Sequence, residues 1–349
     1  MTVNRDNQNG EQHKVSKFSK ALRDYPLLVL DGAFATELES YGCDLKDPLW
    51  SAKVLIDQPE LVKKVHISYL AVGVDIIESA GYQATVEGFK AKGFAIDEAI
   101  ALVKKSVRTA VEARNEFLAA KTAGQLEVNG IAIGTLVDGA PVYPSDNSLE
   151  VPLVAASVGP YGAFLAEGSE YRGDYGVTVE ALEAFHRPRI ELFSEENPDL
   201  FACETVPCLD EAKAIGNILS DESVTKGIPG WITFSCKDEA HTCGGDHIGD
   251  CAAYIDTIDA IQGIGINCTQ PKFVGPLIER IKERTNKAIV VYPNTGELYD
   301  DVNKIWYGEA EAFDAYAKEW ARLGARVIGG CCRTSPVNIG AIVGWVHEG

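Results

Sequence analysis

Three cysteines in the C-terminal third of the chain have the residue type and spacing for metal chemistry. Val327-Ile328-Gly329-Gly330-Cys331-Cys332-Arg333 is a short apolar run that ends in two glycines and two adjacent thiols. Cys268 ends a second apolar run, Gly263-Ile264-Gly265-Ile266-Asn267-Cys268. Neighbouring side chains on a regular strand point to opposite faces. Cys331 and Cys332 can therefore serve one centre only if the backbone leaves strand geometry there, and glycine makes such a departure cheap. Three thiolates at the ends of two strands would form a tetrahedral zinc site with one position open to a substrate. Spacing alone fits thiols that merely pack in the interior equally well, and vicinal cysteines can also form a strained disulfide.

The elements that must position these thiols are eight apolar, β-branched runs, at residues 27–30, 74–78, 153–157, 200–207, 231–238, 263–268, 288–294 and 325–330. Helical segments follow them. Leu61, Val62, Val65 and Leu70 mark a stripe on a helix over 59–73, and Ile100, Val103, Val107 and Val111 mark one over 97–120, with Asp97 as its cap. Further helices are expected over 15–23, 36–40, 209–219, 249–261, 273–284, 309–323 and 336–347, and from 178 onward with a kink at Pro188. Continuous apolar strands alternating with helices specify a parallel sheet covered on both faces. Eight such units point to an α/β fold, a (β/α)₈ TIM barrel. The rival, an open doubly wound sheet, would announce a glycine-rich phosphate turn after its first strand. The first strand here runs instead into Asp31-Gly32-Ala33-Phe34-Ala35-Thr36. Residues 1–24 divide off as a polar tail and lead-in helix, and 25–349 as the barrel domain. Gly, Pro, Ser, Asp and Asn break the rhythm around 122–151, an insertion between strands 2 and 3.

Function in a barrel gathers at the C-terminal strand ends. Those ends carry Asp31, Glu78, Ser157, Glu204, Asp238, Cys268, Asn294, Cys331 and Cys332. His241, Cys243, His247 and Cys251 cluster after the fifth strand but lack the C-x-x-C knuckle of structural zinc modules, and they read as a solvated loop. Cys203 and Cys208 bracket a Pro turn as packing residues, and Cys43 is isolated. The formal net charge of -19 argues against nucleic acid or an anionic membrane as partner. Nine cysteines scattered through apolar runs, a polar N-terminus and no long apolar span suit a reducing cytoplasmic setting.

Several segments together resemble the homocysteine S-methyltransferase family. They are Asp31-Gly32-Ala33, Gly81-Tyr82-Gln83-Ala84, Ser157-Val158-Gly159-Pro160-Tyr161-Gly162, Glu204-Thr205-Val206-Pro207, Gly265-Ile266-Asn267-Cys268, Tyr292-Pro293-Asn294-Thr295-Gly296-Glu297 and Gly329-Gly330-Cys331-Cys332-Arg333-Thr334. The likeness runs from about residue 27 to the C-terminus. Tyr-Pro-Asn-x-Gly-Glu and Gly168-Ser169-Glu170-Tyr171 look like the branch that uses S-methylmethionine or S-adenosylmethionine rather than betaine. The resemblance implies a Zn²⁺ cofactor with Cys268, Cys331 and Cys332 as ligands. It implies that Asp31 and Glu204 hold the amino group of L-homocysteine. It also implies that backbone around Gly32 and the Ser157 turn takes the carboxylate, with Asn294 beside the metal and Tyr82 and Gln83 near the substrates.

The chemistry implied is methyl transfer from a sulfonium donor to the homocysteine thiolate, making methionine. A thiol is mostly protonated at neutral pH, and zinc would bind and deprotonate it. The donor cation could rest on an aromatic face such as Tyr82 or Tyr161. Three alternatives stand beside this reading. The same fold could use another donor such as betaine, a hydrolase could use paired carboxylates Glu78 and Glu204, or a non-catalytic barrel could sense metal or oxidant through the vicinal thiols.

Overall fold

The structure is a computed structural model that describes residues 15–43, 50–137, 140–143, 149–300, 305–308 and 313–347. Eight parallel strands form one sheet: β1 (Leu28–Val29), β2 (Ile76–Glu78), β3 (Leu153–Val158), β4 (Leu200–Val206), β5 (Gly230–Phe234), β6 (Ile261–Asn267), β7 (Ala288–Tyr292) and β8 (Ala325–Ile328). Their order is β1-β8-β7-β6-β5-β4-β3-β2. A parallel bridge between Leu30 and Ile76 joins the two ends of that order. Asp31 N–H donates to Ile76 O (3.0 Å) and Asp75 N–H to Val29 O (2.8 Å) across the seam. The sheet is thus a (β/α)₈ barrel, as the strand rhythm predicts.

Side chains alternate across the barrel wall. Leu28, Leu30, Ile76, Leu153, Ala155, Leu200, Ala202, Trp231, Val290, Tyr292 and Val327 fill the interior as one apolar cluster. Val29, Ile77, Val154, Phe201, Ile232 and Ile328 point outward to the helices. Both faces are buried, which explains why the strands read as unbroken apolar runs. Gly265 has a specific task. A Cβ on it would lie 1.6 Å from Val290 O, so only glycine lets β6 approach β7 there.

A helix before the first strand, Lys17–Asp24, closes the end of the barrel where the strands begin. Its Phe18 is fully buried and packs on Trp231 of β5 with ring centroids 5.5 Å apart. Ser16 Oγ donates to Gln262 Oε1, Lys17 pairs with Asp199 at 2.6 Å, and Arg326 donates to the carbonyls of Leu22, Tyr25 and Pro26.

The insertion between β2 and β3 contains two antiparallel hairpins, Glu127–Val128 with Ile131–Ala132 and Thr135–Val137 with Ala140–Val142. Ile133 between them is fully buried, and Tyr143 Oη donates to the carbonyls of Lys121 and Gln125. Some helix bounds differ from expectation. The long helix is Ile96–Thr122, so Asp97 lies in its first turn rather than at the cap, where its charge favours the helix dipole. Ala95 is the cap residue, and its N–H is satisfied by Glu98 Oε2 at 3.0 Å. The helix expected to reach residue 261 ends at Asp256, because Ile261 already belongs to β6. Short helices at Trp50–Asp57, Val86–Ala91 and Tyr161–Leu165 carry too few turns to show a periodicity. The helix expected over 309–323 is seen as Phe313–Leu323, with 309–312 outside the described residues, as is the expected tail up to residue 14.

Phe18→Ala removes a fully buried ring from the barrel floor, far along the strands from their C-terminal ends. It should cost about 3–5 kcal/mol of stability, read as a lowered urea midpoint. Binding constants for ligands at the opposite mouth should stay unchanged in the folded fraction.

Candidate metal centre and active site

The three cysteine sulfurs converge at the C-terminal mouth of the barrel. Sγ of Cys332 lies 3.9 Å from Sγ of Cys268 and 3.9 Å from Sγ of Cys331, and all three lie within 4.8 Å of one another. All nine cysteines are free thiols. This is the one cluster of three or more potential ligand groups among the described residues. Cys332 is held well below the usual thiol range by hydrogen bonds from Cys268 and Cys331, while the same sharing, with burial, pushes Cys331 well above it.

Strand β8 ends at Ile328, just before the two glycines, but the left-handed residues of the two cysteine loops are not glycines. Cys268 and Arg333 take the left-handed conformation, with φ of 46° and 70°. Such a residue costs on the order of 1–3 kcal/mol, which the surroundings must hold in place. Gly329 and Gly330 instead permit close approach. A Cβ on Gly330 would sit 2.5 Å from the Thr334 side chain, and one on Gly329 would sit 2.7 Å from Leu30 Cβ. The loop after β7 is the strut between the two cysteine loops. Cys268 N–H donates to Tyr292 O, Asn294 N–H to Thr269 O, Cys331 N–H to Pro293 O and Thr295 N–H to Cys332 O. Asn294 Oδ1 is buried there without a partner among the described residues.

A ring of carboxylates lies beside the thiols. Asp31 is buried at the end of β1, and its Oδ2 accepts from Glu78 N–H at 2.9 Å. Asp31 O accepts from Gly330 N–H at 3.0 Å, which ties this end to the cysteine loop. Glu204 on β4 accepts from Ser157 Oγ of β3 and, at 3.5 Å, from Asn267 Nδ2 of β6. Asn267 also bonds both the N–H and the Oγ1 of Thr205. Burial pushes the Asp31 and Glu78 carboxyls well above their usual range, and the neighbouring carboxylates add to both shifts. Burial likewise raises Glu204 to about 8. Glu78 Oε1 is buried with no partner among the described residues. A pocket of this kind suits a cation, which would supply the missing counter-charge.

The loops after β2 and β3 interlock above the carboxylates. A Cβ on Gly81 would lie 2.4 Å from Ser157 O, and one on Gly159 would lie 2.7 Å from the Tyr82 ring. Tyr82 is half-buried, and its phenol is pushed up by burial and by the charges of Glu170 and Cys268. Arg189, buried on the helix Val179–Ser194, pins both loops from behind. It donates to Gly159 O at 2.5 Å and Tyr82 O at 3.4 Å, and contacts His186 Nδ1 at 2.8 Å. His186 Nε2 continues to Glu211 Oε1 at 2.8 Å. Gly32 lies under Thr334 and Tyr69, which fix the adjoining Ala33 amide and carbonyl.

Not every residue expected here faces the thiols. Gln83 is buried and donates to Ala163 O at 3.3 Å, toward the helix Tyr161–Leu165. The Tyr161 ring packs among Phe164, Tyr175 and Phe185, with centroids 5.0–6.0 Å away, so its faces are already engaged. His241 bonds Asp238 and packs edge-on against His247, outside any ligand cluster. Conversely, Tyr171 lies beside the Cys268 thiol, where its hydroxyl weakly favours the thiolate while sharing with Cys332 and burial hold that thiol well above its usual range. It sits in a single 3-10 turn, Ser169–Tyr171, in the Gly168–Tyr171 segment that carries part of the family resemblance but no sign of a contact with Cys268.

A model of the homocysteine S-methyltransferase family matches residues 28–346. The chain belongs to the homocysteine S-methyltransferase family. It is 47% identical over 329 residues to homocysteine S-methyltransferase YbgG of Bacillus subtilis, covering 94% of this chain and 96% of that one. It is 43% identical over 320 residues to homocysteine S-methyltransferase 2 of Arabidopsis thaliana, covering 90% and 91%. The metallated form of the homocysteine methyltransferase MmuM from Escherichia coli superposes with a TM-score of 0.76 at 38% identity, covering 93% of this chain and 98% of that one. No described helix is long and apolar enough to cross a membrane.

The raised Glu204 carboxyl has a consequence for the ligand-free family member. Its folded pKa of about 8 exceeds its ordinary value, so the folded state binds more protons than the unfolded state between about pH 4.5 and pH 8. Stability is therefore greatest below this window and falls as pH rises through it. Glu204→Gln should flatten that fall by an amount on the order of a few kcal/mol, seen in urea titrations at pH 5 and pH 8. An unchanged slope in the variant would show that Glu204 does not carry the effect.

Proposed function

We propose that this enzyme transfers a methyl group from S-methylmethionine, and secondarily from S-adenosylmethionine, to the sulfur of L-homocysteine, producing methionine, with Zn²⁺ as cofactor. The observation that carries the reading is the convergence of three thiols within 4.8 Å beside a buried carboxylate pocket. Cys268, Cys331 and Cys332 would hold the zinc. Three soft sulfur donors suit it, and the unpartnered Asn294 Oδ1 offers a polar group on the loop between the cysteine loops. Zinc bound there would lower the pKa of a substrate thiol, so that the sulfur is a thiolate at neutral pH.

The chain's own residues then bind and orient. Asp31 and Glu204 accept hydrogen bonds from the homocysteine ammonium, whose charge offsets the desolvation that keeps both carboxyls protonated. Main-chain groups at Gly32 and at the Ser157 turn take its carboxylate. Tyr82 presents a ring beside the thiols, where a sulfonium can rest on its face. Gln83 holds the Tyr82 loop against the helix Tyr161–Leu165. As the new sulfur–methyl bond forms, the donor's sulfur–methyl bond breaks, and the electron pair stays on the donor sulfur. That sulfur leaves as a neutral thioether, so the step requires no general acid. Holding the two reactants in line supplies much of the acceleration. The free thiols suit a reducing, cytoplasmic setting.

The test is methionine formation from homocysteine with each donor supplied separately, with zinc assayed in the same sample. One zinc per chain is expected, with faster transfer from S-methylmethionine. Ala at Cys268, Cys331 or Cys332 should abolish both zinc and transfer. Asp31→Asn should keep zinc and raise the homocysteine KM by roughly tenfold to a hundredfold, the effect of losing one charge-assisted hydrogen bond. Transfer that persists without zinc, or transfer from betaine alone, would overturn the reading.

A further inference from the structure

Arg333 directly follows Cys332 and projects from the same mouth of the barrel as the thiols. Its left-handed backbone is fixed by its own N–H, which donates to Thr36 Oγ1 at 3.2 Å. Its guanidinium meets Glu297 through a single contact, Nε to Oε1 at 3.3 Å. Glu297 belongs to the loop after β7 that braces the two cysteine loops, and its Oε2 accepts from Thr295 Oγ1 at 2.7 Å. Thr295 in turn donates from its N–H to Cys332 O. Arginine and glutamate are both partly open to solvent, with 36% and 16% of their side chains exposed.

This pair is looser than the chain's two bidentate surface arginine pairs. Arg108 with Glu196, and Arg322 with Glu319, make two parallel bonds of 2.6–2.9 Å each, the full bidentate geometry. Arg333 makes one long bond, and its two terminal nitrogens bond no side chain or main chain among the described residues. A guanidinium fork left open beside a carboxylate matches the two charged groups of an α-amino acid. The fork takes the carboxylate, and the glutamate takes the ammonium. In the function proposed above, the homocysteine amino acid is taken by Asp31, Glu204 and the Gly32 turn.

We propose that Arg333 and Glu297 are the recognition site for the amino-acid end of the methyl donor, and so select a sulfonium that is also an α-amino acid. The inference rests on the function proposed above. In S-methylmethionine two methylene groups separate the sulfonium from the α-carbon. The charged end can therefore sit on the pair while the methyl group points to the thiols. Betaine meets only half of the requirement, because its quaternary nitrogen has no N–H to give Glu297.

The experiment uses the full-length, zinc-loaded enzyme with homocysteine and three donors: S-methylmethionine, its decarboxylated counterpart and its deaminated counterpart. Wild type should prefer S-methylmethionine over either by about tenfold or more in kcat/KM, the effect of one charge-assisted hydrogen bond. Arg333→Met should erase the preference over the decarboxylated donor, and Glu297→Gln the preference over the deaminated one. Homocysteine KM and zinc content should stay at wild-type values in both. Calorimetric titration with S-methylmethionine should show the same loss of affinity without turnover. Arg333→Lys should recover part of it, since the charge remains and the fork does not. Equal losses for all donors, or loss of zinc, would make the pair structural and overturn the inference alone, as would an unchanged donor KM in Arg333→Met. No transfer by wild type from any sulfonium would instead overturn the underlying function.

Discussion

The convergence of three sulfurs is the constraint on which the rest of the site depends. Two thiols adjacent in sequence and one from another strand must reach a common point. A parallel barrel alone does not achieve this, because alternate side chains diverge. The chain leaves strand geometry after Ile328, and each cysteine loop carries a left-handed residue, Cys268 and Arg333, neither of them glycine. Their strain persists because the loop after β7 fastens both turns with main-chain hydrogen bonds, and Asp31 O fastens Gly330 from the far side. The strut is backbone rather than side chain, so most substitutions along it leave its bonds intact.

Electrostatics follows from that geometry. The mouth gathers Asp31, Glu78 and Glu204 around the thiols in a chain whose formal net charge is already -19. Burial first, and for Asp31 and Glu78 the repulsion of neighbouring carboxylates second, raises the carboxyl pKa values. A cation bound at this mouth would relieve that repulsion, and it would bind more readily once the protons leave. Arg189, the buried cation nearby, is turned away from the pocket and holds the Gly159 and Tyr82 carbonyls instead.

The barrel was legible because burial on both faces makes each strand an unbroken apolar run. The helix expected over 209–219 matches the observed Leu209–Leu219 for the same kind of reason, a clean amphipathic stripe. The convergence of Cys268, Cys331 and Cys332 was legible from their places at strand ends. Tyr171 was not, because its importance arises only from contact with Cys268, far along the chain. The first hairpin of the insertion carries one local sign. Asn129-Gly130 is a dipeptide favoured in two-residue turns, and both residues have positive φ, 50° and 74°. Its strands are only two residues each, too short for alternation to appear. The role of Arg189 could not be seen at all, since a buried arginine and an exposed one look alike in a helix.

The helix Lys17–Asp24 has a bearing on how the molecule is built in time. It is made before every strand of the barrel, and nearly everything it docks against comes much later in the chain. Phe18 waits for Trp231, Ser16 for Gln262, and Leu22 and Tyr25 for Arg326, a separation of 304 and 301 residues. The β1 strand likewise cannot pair with β8 until synthesis is almost complete. Contacts of such separation form slowly, because a long loop must close before they reward it. A nascent chain stalled before Ala325 therefore carries an unsealed sheet, in which β1 lacks its β8 partner and the N-terminal helix lacks Arg326. The last strand both delivers Cys331 and Cys332 and allows the barrel to shut, so the gathering of the three thiols and fold closure are a single late event.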